Sequence, residues 1–314
     1  MTNSSKDRRF KILVCIDLSS ESFRGLRYAV RLGSGTDADI TLLNIRNSDK
    51  GLQTGGLQMQ LAHQNLLEWG LDLPGQKALK EARDFLIDMG FLQRDWLART
   101  IHKDVIGDEL GDNMIEYASK DGRKITLKMK VASSVTKGIL EECEQVEYDI
   151  TIVNVAEVGK DGETSGIEAS AAQTLAREIA GTIIFARALE ESHAHLLCVT
   201  TSAVSIELAK KDAVIASRCF CPVFLYSIAE NKDRLEEAKH AVAMAKSAIE
   251  EMDLAIAGEK VEIGDPVSKI IEEGRSYSLI VLSASEKVGL KRLFGTSVAS
   301  KVMEKAHNSV MIVR

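Results

Sequence analysis

Ser170-Ala-Ala-Gln-Thr-Leu-Ala-Arg-Glu-Ile-Ala-Gly-Thr-Ile-Ile-Phe-Ala-Arg187 and Ser297-Val-Ala-Ser-Lys-Val-Met-Glu-Lys-Ala-His-Asn-Ser-Val-Met-Ile-Val-Arg314 are two versions of one pattern. Each reads as a helix followed by a short aliphatic strand. Two further pairs recur in the same order. Lys11-Ile-Leu-Val-Cys-Ile-Asp-Leu-Ser19 answers to Ala194-His-Leu-Leu-Cys-Val-Thr-Thr-Ser202, and Tyr148-Asp-Ile-Thr-Ile-Val-Asn154 answers to Tyr277-Ser-Leu-Ile-Val-Leu-Ser283. One such pair is weak, but three in a shared order mark an internal duplication. The halves meet near Ala188–Ser192, in the charged stretch Leu189-Glu-Glu-Ser192, which divides the chain into 1–190 and 191–314.

Within each half, aliphatic runs alternate with helical patterns. Half one gives strands at Ile12–Ile16, Ile40–Ile45, Ile125–Val131, Ile150–Val155 and Thr182–Ala186, with a helix over Ser20–Leu32 capped by Ser19 or Ser20. In half two, Leu235, Ala238, Val242, Ala245, Ile249 and Met252 fall at spacings of three and four, as on one face of a helix. Strands apolar on both faces and separated by helices predict an α/β fold, two tandem doubly wound parallel-sheet domains. Half one also carries an insertion around 47–122. It predicts helices near Leu57–Trp69 and Ala78–Met89, and a strand plus a short helix at Leu110–Tyr117. Its two readings are an elaborated crossover and a lid or partner-binding surface.

Composition narrows the class. The chain has 314 residues, 45% of them hydrophobic and 27% charged, enough apolar material for two real cores. A net charge of −6 argues against a nucleic-acid partner, which would call for basic residues to displace counterions. No run reaches the apolar length of a membrane span, so no membrane partner is expected. Met1 to Phe10 is polar and basic without an apolar signal core, and five cysteines without a repeating framework fit a reducing compartment. These features predict a cytoplasmic protein.

Gly264-Asp-Pro-Val-Ser-Lys-Ile-Ile-Glu-Glu273, Leu279-Ile-Val-Leu282, Gly289-Leu-Lys-Arg-Leu-Phe-Gly-Thr-Ser297 and Ser309-Val-Met-Ile-Val-Arg314 together resemble the C-terminal half of a universal stress protein domain. Lys11–Ser22, followed by Leu26-Arg-Tyr-Ala-Val30, resembles the opening of such a domain. The resemblance implies a tandem family member whose halves pair as an internal pseudo-dimer through Thr182–Ala186 and Val310–Val313. It also implies a non-catalytic stress-response or regulatory role. The cofactor implied is ATP or another adenine nucleotide, with magnesium only alongside the nucleotide.

Nucleotide-binding members of that family carry an aspartate at the end of the first strand and G-x2-G-x9-G-[ST] after the fourth. The ligand of an open parallel sheet sits beyond the carboxyl ends of the strands, and glycines with a helix N-terminus bring amides to its phosphates. Half one keeps Asp17 and the Gly159-Lys-Asp-Gly162 loop, but Glu168 and Ala169 stand where the final glycine and hydroxyl belong, with Ser170 next. Half two keeps Gly295, Thr296 and Ser297, but Thr200 replaces the aspartate, and Ser283 and Glu286 replace the first two glycines. Each half therefore retains what the other lacks. Half one, through Asp17 and the backbone near Ile45, is expected to suit adenosine, and half two an isolated anion. Asp17 also reads as a plain turn residue, and Gly295–Ser297 as a plain helix cap.

Other signals lead nowhere in the sequence. Gly33-Ser-Gly35 follows a helix, so it is not a dinucleotide fingerprint. Cys219-Phe-Cys221 lacks a matching second pair and reads as buried thiols rather than a metal site. His193 and His195 have no acidic or cysteine partner close in sequence. Asp104, Asp108, Glu109 and Asp112 miss the calcium-loop spacing and read as a solvated acidic face. No nucleophile–base arrangement stands out. The rival functions are a slow adenine-nucleotide hydrolase and a protein-interaction module using the insertion. A further homo-oligomer and an unidentified protein partner stay open.

Overall fold

The computed structural model describes residues 9–34, 38–47, 74–106, 108–155, 157–158, 164–187, 194–283 and 297–314. In half one the strands are β1 (Phe10–Cys15), β2 (Ala38–Asn47), β3 (Leu97–Val105), β4 (Asp108–Ala118), β5 (Lys124–Ala132), β6 (Ile150–Asn154), the short pair β7 (Glu157–Val158) and β8 (Thr164–Ser165), and β9 (Thr182–Ala186). In half two they are β10 (His195–Cys198), β11 (Val223–Ala229), β12 (Gly258–Ile263), β13 (Leu279–Ser283) and β14 (Ser309–Val313). The α-helices are α1 (Ser20–Ser34), α2 (Pro74–Asp88), α3 (Val135–Gln145), α4 (Ala169–Glu178), α5 (Ala203–Cys219), α6 (Leu235–Glu250), α7 (Pro266–Gly274) and α8 (Val298–Lys305). The expected boundary at Ala188–Ser192 and the expected helix at Leu57–Trp69 lie outside the described residues.

One 12-stranded sheet carries both halves, in the order β12-β11-β10-β13-β14-β9-β6-β1-β2-β5-β4-β3. From β12 to β14 and again from β5 back to β9, the spatial order is third, second, first, fourth, fifth, with parallel neighbours. This is the doubly wound plan, present twice. Side chains alternate between the faces of each strand. Ile12 and Val14 join one buried cluster with α1, α2, α5 and α6, while Leu13 and Cys15 join the other with α3, α4, α7 and α8. The result is a single three-layer sandwich.

The halves meet where β9 and β14 pair antiparallel, with Val310 opposite Phe185, Met311 opposite Ile184 and Ile312 opposite Ile183. Ile184 and Met311 are counterparts in the sequence repeat, so a local twofold axis passes through that pair, as in a self-complementary dimer contact. The closing arginines of the two repeats act reciprocally. Arg187 donates to the Ala306 carbonyl at the end of α8 (2.7 Å), and Arg314 donates to the Ala176 carbonyl in the last turn of α4. Each satisfies a helix-end carbonyl in the opposite half and complements the helix dipole.

The insertion departs from its expected form. Leu110–Tyr117 is not a helix but the body of β4, antiparallel to both β3 and β5. Its Gly, Asp and Asn residues are poor helix formers, and Gly111 takes φ +52°. The acidic stretch is likewise only partly a solvated face. Asp104 is exposed beside His102, but Asp108 is buried, pairs with Arg46 and accepts from Gly111 N at 3.1 Å. Asp112 accepts from Val131 N at 2.8 Å.

The seam predicts its own test. Ile184 is 0% exposed, so Ile184→Ala should lower unfolding stability by about 2–5 kcal/mol. Urea unfolding followed by circular dichroism should show one transition shifted to lower urea, because both halves share the sheet. An unshifted curve would contradict the seam.

Candidate functional site

In doubly wound sheets the crevice lies at the carboxyl ends of the first and fourth strands, where the winding reverses. In half one Asp17 follows β1 there, and Ser19 caps α1 by accepting from Ser22 N at 3.2 Å. The Asp17 carboxylate is already engaged on both oxygens. Oδ1 accepts from Ser19 N at 2.8 Å and from the Ser19 hydroxyl, and Oδ2 accepts from Asn154 Nδ2 at 2.6 Å. Asn154 ends β6 and is buried, and its amide also donates to Ser19 Oγ at 3.0 Å. The side chains of the first and fourth strands thus join across the reversal point.

The same end is covered from β2. Asn44 donates to Ile16 O at 2.8 Å, and a Cβ added to Gly75, in the first turn of α2, would stand 2.3 Å from Asn44 Oδ1. Glycine there lets α2 close directly onto the strand end. Ile45 faces the opposite side, where a Cβ on Gly138 of α3 would lie 2.7 Å from it. Beyond β6, Ile167 returns to the strand end, its N–H donating to Asn154 O at 3.0 Å. Gly159 and Gly162 lie outside the described residues. Ser170 is exposed inside α4 rather than at its cap, which is Glu168 and makes no side-chain cap bond.

Half two repeats the frame with different fittings. Ser202 caps α5 by accepting from Ser205 N (3.1 Å), as Ser19 does for Ser22. Strand register matches Ser227 to Asn44, and Ser227 Oγ donates to Val199 O at 3.0 Å. Thr200 stands in place of Asp17, and its N–H donates to Ser205 Oγ at 3.0 Å. No bond between Thr200 and Ser283 parallels that between Asp17 and Asn154 among the described residues. A cavity of about 260 Å³ opens there, lined by Thr200, Ser227, Ile228, Arg234, Glu237 and Ala238 among others. Arg234 donates to Glu237 Oε2 at 2.6 Å and holds that carboxyl below its ordinary range. Ser297 caps α8 by accepting from Ser300 N at 3.1 Å, while Gly295, Thr296 and Glu286 lie outside the described residues.

A larger cavity, about 690 Å³, sits at the opposite ends of the central strands, between the start of β6, α5 and Arg314. It lies at the amino ends of the half-one strands, away from the reversal points.

Sequence reasoning missed one cluster. His195, read as lacking an acidic or cysteine partner, makes a 3.0 Å contact through Nδ1 with Asp212 Oδ1 and another through Nε2 with the Tyr28 hydroxyl. Its partners lie 17 and 167 residues away in the chain, beyond the reach of any local motif. Burial works against the imidazolium, but Asp212 more than offsets it and holds the His195 pKa up at about 9.

Fold and crevices together define a doubly wound α/β protein with a crevice at the strand carboxyl ends of each half. Residues 172–314 match the family model described as the universal stress protein family. The match runs from within α4 to the C-terminus. It is 36% identical over 81 residues to universal stress protein MJ0531 of Methanocaldococcus jannaschii, covering 25% of this chain and 47% of that protein. The chain thus spans about half the length of the curated relative it matches.

Solved structures extend the likeness of fold to nearly the whole chain. A universal stress protein from Archaeoglobus fulgidus DSM 4304 superposes with TM-score 0.59 at 11% identity, over 97% of this chain and 96% of that one. A structure assigned to a universal stress protein of Pseudomonas aeruginosa UCBPP-PA14 gives 0.60 at 12%, over 96% and 92%. The cytoplasmic domain of a prokaryotic cation chloride cotransporter gives 0.50 at 12%, over 97% and 95%, so fold alone does not fix function. Among the described residues, no helix is long and apolar enough to cross a membrane.

The half-one contacts make a stability prediction. Asp17→Ala leaves the buried Asn154 amide without its carboxylate and should cost about 1–3 kcal/mol in urea unfolding. Unchanged stability would show that Asp17 has no structural role.

Proposed function

We propose that this chain is a universal stress protein, a non-catalytic regulator that takes an adenine nucleotide in the half-two crevice. The observation carrying the proposal is the contrast between the crevices: the Asp17 carboxylate is engaged internally, whereas Thr200 fronts a cavity of about 260 Å³. That volume is near the lower bound of roughly 300 Å³ for small-molecule pockets and suits a nucleoside rather than a whole nucleotide. The carboxylates of Glu230 and Glu237 line it and suit the amine and hydroxyl donors of adenosine, not its phosphates. In this reading Gly295, Thr296 and Ser297 receive the phosphates at the N-terminus of α8, with magnesium accompanying them. Half one serves as the structural partner, opening to ligand only if Asn154 releases Asp17. Stress response in the cytoplasm is the physiological setting of this reading, and nucleotide-dependent recognition of a protein partner is its output.

Calorimetric titration of nucleotide-stripped protein with AMP and ATP, with and without magnesium, should give one site per chain. Ala238→Leu, which narrows the cavity, should weaken binding at least roughly tenfold, while Asp17→Asn should leave affinity nearly unchanged. Loss of binding in Asp17→Asn alone would move the site to half one. Magnesium-dependent phosphate release by wild-type protein would overturn the non-catalytic reading.

A further inference from the structure

At the amino-terminal start of β10, side chains from both halves meet in the core. His195 and Cys219 are 0% exposed and Cys221 is 7% exposed. One imidazole nitrogen and the two sulfurs all lie within 4.8 Å of one another. Cys219 Sγ is 2.8 Å from Cys221 Sγ and 3.8 Å from the Tyr28 hydroxyl, which is itself 3.0 Å from His195 Nε2. Behind the ring, Asp212 Oδ1 holds Nδ1 at 3.0 Å. The second oxygen, Asp212 Oδ2, is buried with no hydrogen-bond partner among the described residues.

This arrangement has the parts of a metal centre. Thiolate and imidazole ligands are the set that a zinc-class cation selects, and a carboxylate on the far nitrogen fixes the ring with Nε2 toward the cation. The buried Asp212 carboxylate needs a positive charge beside it, and a cation on Nε2 supplies that charge when the ring gives up its proton. Backbone geometry contributes as well. Phe220, between the two cysteines, sits at φ 55°, a position that usually takes glycine after a helix, and its ring is 79% exposed. The left-handed turn brings both sulfurs to the same side. The equivalents of His195 and Asp212 in the first repeat are Ile12 and Ala29, both buried and apolar, so the cluster belongs to half two and not to the shared fold.

We propose that His195 Nε2, Cys219 and Cys221 bind one divalent, thiolate-preferring cation of the zinc class, with the Tyr28 hydroxyl on its fourth side. Binding releases the protons of the two thiols and the Nε2 proton of the imidazolium to solvent, and Tyr28 keeps its hydroxyl proton. The sulfurs move about 1 Å apart to reach metal–sulfur distances near ~2.3 Å. Two thiolates and the Asp212 carboxylate carry three negative charges, which a divalent ion offsets better than a monovalent one. Since Tyr28 belongs to half one and the other ligands to half two, the cation ties the halves together on the α1–α5 face.

The test uses the full chain, reduced and stripped with chelator, titrated with cobalt(II) as a spectroscopic probe. The expected result is one equivalent bound per chain, with a thiolate-to-cobalt charge-transfer band and tetrahedral visible bands, both bleached by zinc. Cys221→Ser should at least halve the charge-transfer band, and Cys143→Ser should leave it intact. Should Cys221→Ser fail to fold, Asp212→Asn serves, and it should weaken cobalt affinity about 10- to 100-fold. A spectrum without the thiolate band, or unchanged affinity in Asp212→Asn, would overturn the proposal. So would protein with both thiols reduced that takes up no cobalt.

Discussion

The antiparallel contact between β9 and β14 is the constraint on which the remaining structure depends. Each half ends its sheet on a buried aliphatic strand whose outer edge would otherwise present unpaired amides and carbonyls. Pairing the two edges removes both liabilities at once and merges two sheets into one of 12 strands. The register centres on Ile184 and Met311, so the contact is self-complementary even though the sequences differ. Arg187 and Arg314 then lock the flanking helices, each in the opposite half. The outermost strands among the described residues, β3 and β12, carry charged residues such as Lys103, Asp104, Lys260 and Glu262, a common guard against further pairing.

With the frame held by the seam, the two crevices are free to diverge. In half one a single residue type accounts for much of the change. Asn154 at the end of the fourth strand reaches the first-strand aspartate, and Asn44 with Gly75 brings α2 down on the neighbouring strand end. In half two Ser227 and Thr200 are shorter, the carboxylate is gone, and the space beneath α6 stays open. The duplicated scaffold thus carries one crevice whose carboxylate is engaged by its own side chains and one with a cavity lined by polar groups.

How much of this could be read in the sequence follows from the range of each interaction. Most of the strands were legible because aliphatic runs and their repetition are local signals, whereas the seam was expected only from the family resemblance. Leu110–Tyr117 misled because its apolar residues suit a helix or a strand, and its pairing with β3 and β5 decided the outcome. Asp17 was visible as a candidate, but its capture by Asn154 was not, since the two are 137 residues apart. The Tyr28, His195 and Cys219 cluster was hidden for the same reason, and Cys219-Phe-Cys221 was its only local trace.

The central claim is that the two crevices are unequal. Backbone amide NMR of the full chain during titration with AMP tests it residue by residue. The account predicts that Thr200, Thr201 and the segment from Ser227 to Glu237 shift first, while Asp17, Ser19 and Asn154 stay in place. Early shifts at Asp17 and Asn154, with Thr200 and Ser227 unmoved, would contradict it.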